Sequence, residues 1–286
     1  MASGSRRDEP RRHGRGPRRV CVIGAGTIGS FLIEAIAAGR AGDVRLAGVA
    51  DRPEAEERLR QIALDRHVPV TTGVGTLLRF HPEIVVEAAS PDALRTHAVS
   101  ILTAGADLLA MSVGAFADDG FTRSVRDAAR RAGRRVVIPS GAIGGLDAVA
   151  AACLARVDEV WLETSKPPTA LEGAPFVVES HLDLTGLTQR TVIFAGNVAD
   201  ATRGFPANTN VAAALGLAAA PCPVRVRVVA DPALRRNVHE IRAVGEFGEM
   251  SLRFENTPSA NPRTSLLACL GALAALRSMT EPLVVL

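Results

Sequence analysis

Residues 20–29 read Val-Cys-Val-Ile-Gly-Ala-Gly-Thr-Ile-Gly, and they limit the possible folds more than any other stretch of the chain. An apolar run of strand length ends at Gly24, Gly26 and Gly29, which are spaced G-x-G-x-x-G, and the segment TIGSFLIEAIAAG that follows is apolar at helical period. The first glycine permits the tight turn, the second lets main chain approach a pyrophosphate, and the third lets helix and strand pack closely. Asp51 stands 22 positions beyond Gly29, at the end of the next apolar run, VRLAGVAD. A carboxylate there can accept from a ribose 2′-hydroxyl. The pattern predicts a dinucleotide site, for NAD or NADP, formed by Gly24, Gly26, Thr27, Ile28, Gly29 and Asp51. Asp51 repels a 2′-phosphate and speaks for NAD, whereas Arg52 beside it can pair with that phosphate and speaks for NADP.

Strand-length runs and helix-period segments alternate up to RRVVIPSG, which predicts an α/β domain with a doubly wound parallel sheet over residues 18–140. Ala88-Ala89-Ser90-Pro91 closes one of its strands at the carboxyl edge, where ligands bind in such sheets. Ala88, Ala89 and Ser90 are therefore expected in the cofactor groove, and Ser90-Pro91 also reads as a helix cap. After GAIGGLDAVAAACLARV the strands lie closer together: VWLETS, RTVIFAG, VRVRVVAD, HEIRAVGEF and EMSLRFEN predict a mostly antiparallel sheet. Residues 141–262 thus read as an α+β domain for substrate, catalysis and dimerisation, and the apolar helix at 263–279 is expected to return to the first domain. These strands carry more apolar surface than one such domain covers, so a homodimer joined through its sheets is expected.

Charge excludes little. Residues 1–19 hold seven arginines against Asp8 and Glu9, a local charge of +5, so the formal +3 of the whole chain leaves −2 for the rest. The Arg-, Gly- and Pro-rich residues 1–17 read as a disordered tail, and nucleic acid is not expected as its partner. No run has the length and apolarity of a secretory signal or a membrane span, so a cytoplasmic protein without membrane contact is expected. Cys21, Cys153, Cys222 and Cys269 are scattered, with no histidine at ligand spacing, which predicts buried reduced thiols and no metal site.

Three polar clusters interrupt the apolar second half: Phe205-Pro-Ala-Asn-Thr-Asn-Val211, Asn237-Val-His239-Glu240, and Glu255-Asn-Thr-Pro-Ser-Ala-Asn-Pro-Arg-Thr264. With Pro139-Ser-Gly-Ala-Ile-Gly-Gly-Leu-Asp147 and Thr164-Ser-Lys-Pro-Pro168, they make the chain similar to L-aspartate dehydrogenases from about Val20 to its end. The resemblance implies NAD(P)-dependent oxidation of L-aspartate to iminosuccinate, or the reverse amination of oxaloacetate. It implies that His239 is the catalytic group and that Ala142 and Asn210 contact the cofactor. Ser165 departs from the family, which carries a basic residue before that lysine.

Histidine suits the chemistry on its own terms, since hydride loss needs an unprotonated amine and imine hydrolysis needs proton shuttling near neutral pH. The competing reading is a core histidine bonded to a neighbouring carbonyl. A dicarboxylate needs cationic or N–H donors, and Lys166, Arg263 and the Gly141–Gly145 turn are available. Asn208 reads equally as a pocket donor or a helix cap; Gly144 either lets main chain approach the substrate or simply makes a turn. Two other functions fit in outline: a dinucleotide-binding sensor without turnover, and another amino-acid-pathway dehydrogenase such as homoserine dehydrogenase. Dihydrodipicolinate reductase, with its paired histidines, fits less well because His239 stands alone.

Overall fold

The computed structural model describes residues 16–206, 210–261 and 264–285. The tail before residue 16, Asn208 and Arg263 lie outside the described residues. The first sheet comprises β1 (Arg18–Ile23), β2 (Val44–Ala50), β3 (Val70–Thr71), β4 (Ile84–Glu87), β5 (Asp107–Ala110) and β6 (Val136–Val137). All its pairings are parallel, in the order β3-β2-β1-β4-β5-β6. This is the doubly wound order, with the strand order reversing beside β1.

Helices α1 (Thr27–Ala37), α2 (Glu56–Arg66), α3 (Val74–Leu78), α4 (Pro91–Thr103) and α5 (Asp119–Ala132) connect these strands, and a 3-10 helix, Val113–Ala117, follows β5. Strands such as β4 are buried throughout, because helices cover both faces of the sheet. The stretch between α2 and β4, which carries no clear periodicity, supplies β3 and α3.

Beyond α6 (Leu146–Ala152) lie β7 (Val157–Lys166), α7 (Pro175–Glu179), β8 (Thr191–Asn197), α8 (Val198–Gly204), α9 (Asn210–Ala219), β9 (Val224–Ala230), β10 (Asn237–Gly245), β11 (Gly248–Asn256) and α10 (Leu266–Ser278). The second sheet runs β11-β10-β7-β9-β8, antiparallel at every pairing but β7 with β9. Val160, Leu162, Val226, Ile241 and Ala243 pack its inner face against residues of α6, α8 and α9. The final helix, α10, buries Ala272, Leu273 and Leu276 in the same cluster as Leu32 and Ile36 of α1.

The outer face of this sheet corrects the expectation of surplus apolar surface. Arg242 pairs with Glu159 at 3.2 Å and Glu249 at 2.6 Å, Arg253 pairs with Glu255 at 3.2 Å, and Arg190 pairs with the buried Glu163. Trp161 lies there under the Arg227 guanidinium. Successive side chains alternate between faces, so the apolar residues counted along each strand fall on the helix-covered side. The cysteines need a smaller correction. Cys21, Cys153 and Cys269 are buried, but Cys222 is half-buried in the turn between α9 and β9. No helix among the described residues is long and apolar enough to cross a membrane.

Candidate active site

The carboxyl edge of the first sheet opens into a groove of about 550 Å³ lined by Gly24, Gly26, Asp51, Arg52, Arg58, Ala88, Ala89 and Ser90, among others. The glycine turn forms one part of its wall. Gly24 adopts φ +89°, and a Cβ there would lie 2.6 Å from the Ala88 carbonyl oxygen. A Cβ on Gly26 would meet nothing within 4 Å, and Gly26 caps α1 without any side-chain hydrogen bond. The amino end of α1, with its positive dipole and uncapped N–H groups, therefore stands beside open space. Gly29 faces inward, where a Cβ would fall 1.8 Å from the Gly24 carbonyl oxygen.

Asp51 accepts from the Ala25 N–H at 2.7 Å with one oxygen and from the Arg52 N–H at 2.8 Å with the other. Arg52 is exposed, 3.9 Å from Glu54. Ser90 caps α4 by accepting from the Ala93 N–H at 3.1 Å, and it lines the groove as well, so its two readings coexist. Ile28 lies farther along, on the wall of a second cavity, whereas Thr27 and Gly29 line neither space.

That second cavity, about 280 Å³, lies between the sheets, and its walls include Ile28, Met111, Ser140, Ala142, Lys166, Asn210, Asn237, His239 and Ser265. Strand register assembles it. His239 on β10 is paired with Thr164 on β7, which puts both side chains on one face, and Thr164 Oγ1 lies 3.1 Å from His239 Nδ1. Lys166, two residues beyond Thr164, shares that face, while Ser165 between them alternates to the other. Glu240 likewise points away from His239, toward Arg253 at 3.8 Å. The imidazole partner is thus a hydroxyl.

Burial sets the electrostatics here. His239 is 4% exposed and Lys166 6%. Loss of hydration pushes the Lys166 ammonium down to about 8, and burial, with the Lys166 charge as a second cause, pushes the His239 imidazole down to about 3. His239 is therefore neutral near pH 7, and the Lys166 ammonium gives up its proton more readily than an exposed lysine does.

The Ala142 turn is fixed from behind by Asn256, whose Nδ2 donates to the Ala142 carbonyl at 2.8 Å. Asn210 Oδ1 accepts from the Gly114 N–H at 2.9 Å, tying the start of α9 to the 3-10 helix after β5. Gly144 is not brought to the cavity: a Cβ on it would meet the Phe254 ring at 3.4 Å, on the core side.

Comparison with known proteins accounts for both halves. The family model described as "Homoserine dehydrogenase, NAD binding domain" matches residues 24–139, and that described as "Aspartate dehydrogenase, C-terminal" matches residues 147–279. The L-aspartate dehydrogenase of Methanocella arvoryzae is 41% identical over 93% of this chain and 98% of its own length. The chain belongs to the L-aspartate dehydrogenase family. The enzyme of the same name from Methanococcoides burtonii is 38% identical over 93% of this chain and 98% of its own. The crystal structure of Thermotoga maritima aspartate dehydrogenase superposes with a TM-score of 0.75 at 30% identity, covering 94% of this chain and 99% of that one.

This protein is thus an NAD(P)-dependent dehydrogenase, which removes the sensor without turnover as an account of it. In this dehydrogenase several residues that sequence reasoning passed over sit at the site. Asn237 lines the second cavity, and its position two before His239 on a strand could have shown that. Arg58 reaches the Ala25 carbonyl at 3.1 Å from α2, a helix whose charges give no clue to which one points inward. Glu87, 1% exposed at the end of β4, lines neither space but accepts from the Ala89 and Ser90 N–H groups of the groove wall.

Proposed function

We propose that this dehydrogenase oxidises L-aspartate to iminosuccinate, which yields oxaloacetate and ammonia, and runs the reverse reductive amination, with His239 as the acid/base group. The observation that carries the reading is the pairing of Lys166 with His239 in one cavity whose described lining holds no carboxylate. A dianionic substrate entering it finds a buried ammonium and the side-chain donors of Asn210, Asn237, Ser140 and Ser265.

The groove fits a dinucleotide for reasons visible in the chain. The open space at Gly26, the uncapped start of α1 and the Asp51 carboxylate at the strand end match a pyrophosphate and a ribose hydroxyl. Arg52 and Arg58 stand where a 2′-phosphate would need them, in keeping with use of NAD or NADP. Bound NAD(P) supplies the hydride acceptor; Ala142, Asn210 and Ile28 form the wall against which its reactive end would rest.

Proton handling falls to His239. In the free protein it is neutral, and its Nδ1 contact with Thr164 fixes the ring. Two substrate carboxylates beside Lys166 offset the charge that helps hold the imidazole neutral, so binding makes His239 a better proton acceptor. A neutral imidazole can then take the proton released as the substrate amine becomes the imine, and return it in the amination direction.

Absorbance at the NADH band tests this directly, with L-aspartate and NAD or NADP, and in reverse with oxaloacetate and ammonia. Turnover with aspartate and little with other amino acids is expected. Turnover of a different amino acid only would overturn the substrate assignment. The protein is further proposed to act as a homodimer, which sedimentation would show as a species of twice the chain mass; with its charged outer sheet face, any contact through that face would be ionic.

A further inference from the structure

Glu87 ends β4 with its carboxylate buried and fully engaged. Its Oε1 accepts from the Ala89 N–H at 2.9 Å, the Ser90 N–H at 3.1 Å and the Ser112 hydroxyl at 2.8 Å, and its Oε2 accepts from the Ser112 N–H at 3.1 Å. Ala89 and Ser90 belong to the turn that lines the cofactor groove, against which Gly24 also packs. Ser112 opens the 3-10 helix after β5, flanked by Met111 and Val113, which line the catalytic cavity. From the same 3-10 helix Gly114 donates to Asn210, another cavity residue. A path of hydrogen bonds, joined through the main chain of the 3-10 helix, therefore leads from the groove turn through one carboxylate to the cavity wall.

We propose that Glu87 is a positioning residue that holds the cofactor groove and the catalytic cavity in register, by binding the β4–α4 turn and the Ser112 segment to the two oxygens of one carboxylate. Burial pushes the Glu87 carboxyl up while the hydrogen bonds from Ser112, Ala89 and Ser90 pull it back down. A carboxyl group that accepts from four donors fixes those donors more tightly than an amide, which has one acceptor oxygen, can. A glutamine keeps the size but places an NH2 group where one of the donors now points, so one turn must shift. The inference rests on the groove being the cofactor site. It does not depend on which amino acid is oxidised.

The test is NADH fluorescence titration and steady-state kinetics on the full chain bearing Glu87→Gln, beside Asp107→Asn. Asp107 is a buried carboxylate at the opposite, amino-terminal end of the same sheet, where it meets Arg18 at 2.9 Å and the Arg135 N–H at 3.0 Å. E87Q is expected to raise the NADH Kd about tenfold or more and to raise KM for the amino acid as well. D107N is expected to lower the melting temperature with both constants unchanged. Ser112→Ala, which deletes one donor, should shift Kd in the same direction by about threefold. It supplies the readout if E87Q does not fold. E87Q or S112A with wild-type Kd and KM and a lowered melting temperature would make Glu87 an ordinary core carboxylate and overturn the proposal. Wild-type protein that fails to bind both NADH and NADPH would overturn the groove assignment as well, whereas failure of L-aspartate as substrate would leave these titrations intact.

Discussion

The two ends of the site are built by opposite means. The part of the groove beside α1 is shaped by main chain: a glycine turn at positive φ, an uncapped helix start and a turn tied down by a buried carboxylate. The second cavity, where catalysis is proposed, presents side chains, Lys166 and His239 from two neighbouring strands with Asn210 from a third element. A surface made of main chain tolerates any side chain that leaves the backbone path alone, so its sequence mark is a spacing of glycines. One made of side chains depends on the identity of each residue and on the register that brings them together. Removing the His239 or Lys166 side chain should therefore damage chemistry and spare the cofactor; adding a side chain to the groove should do the reverse.

The largest effect is expected for His239→Ala. Loss of a positioned acid/base group costs about 100- to 10,000-fold in kcat, with the NADH Kd unchanged. If fluorescence titration instead showed lost cofactor binding with kcat intact, the division between the two ends would fail.

Next comes Lys166→Met, expected to raise KM for the substrate about 30-fold or more through loss of a charge-assisted contact. The pH dependence sharpens this. Lys166 is held down to about 8 by burial, so it is protonated and attracts carboxylates below that pH and loses this attraction above it. Wild-type KM should be level up to about pH 8 and climb beyond, and the climb should be absent in K166M. His239, held down to about 3 in the free protein, contributes no ionisation to kcat/KM near neutrality. A climb of KM above pH 8 that survives in K166M would assign the ionisation elsewhere.

The smallest of the three is Gly29→Ala. Its Cβ would fall 1.8 Å from the Gly24 carbonyl, so α1 or the glycine turn must move. Overpacking of this kind costs about 1–3 kcal/mol of stability, and the NADH Kd should rise about tenfold while kcat at saturating cofactor changes little. A kcat loss matching that of H239A would show that the turn also positions the reacting groups.

How much was legible follows the same division. The glycine spacing, the carboxylate after the next strand and the alternation of periods are local patterns, and the doubly wound sheet they implied is the one observed. The family followed from polar segments spelled out along the chain and agrees with the relatives found. Faces were harder. The charged outer side of the second sheet was misjudged because apolar residues were counted per strand without separating the two sides. Gly144 and Ser165 are near neighbours of site residues in sequence, yet one turns to the core and the other to the opposite face.

What the chain determined by itself is therefore whatever neighbours in sequence settle: where strands and helices form, where main chain must turn on glycine, and which residue types are present to do chemistry. Only the tertiary structure decided that Thr164 would meet His239, that Lys166 would share the cavity of His239, and that Glu87 would bind Ser112, 25 residues away. Those contacts join residues distant along the chain through strand register and packing, and the propensities of neighbouring residues carry no information about which distant partner lies opposite.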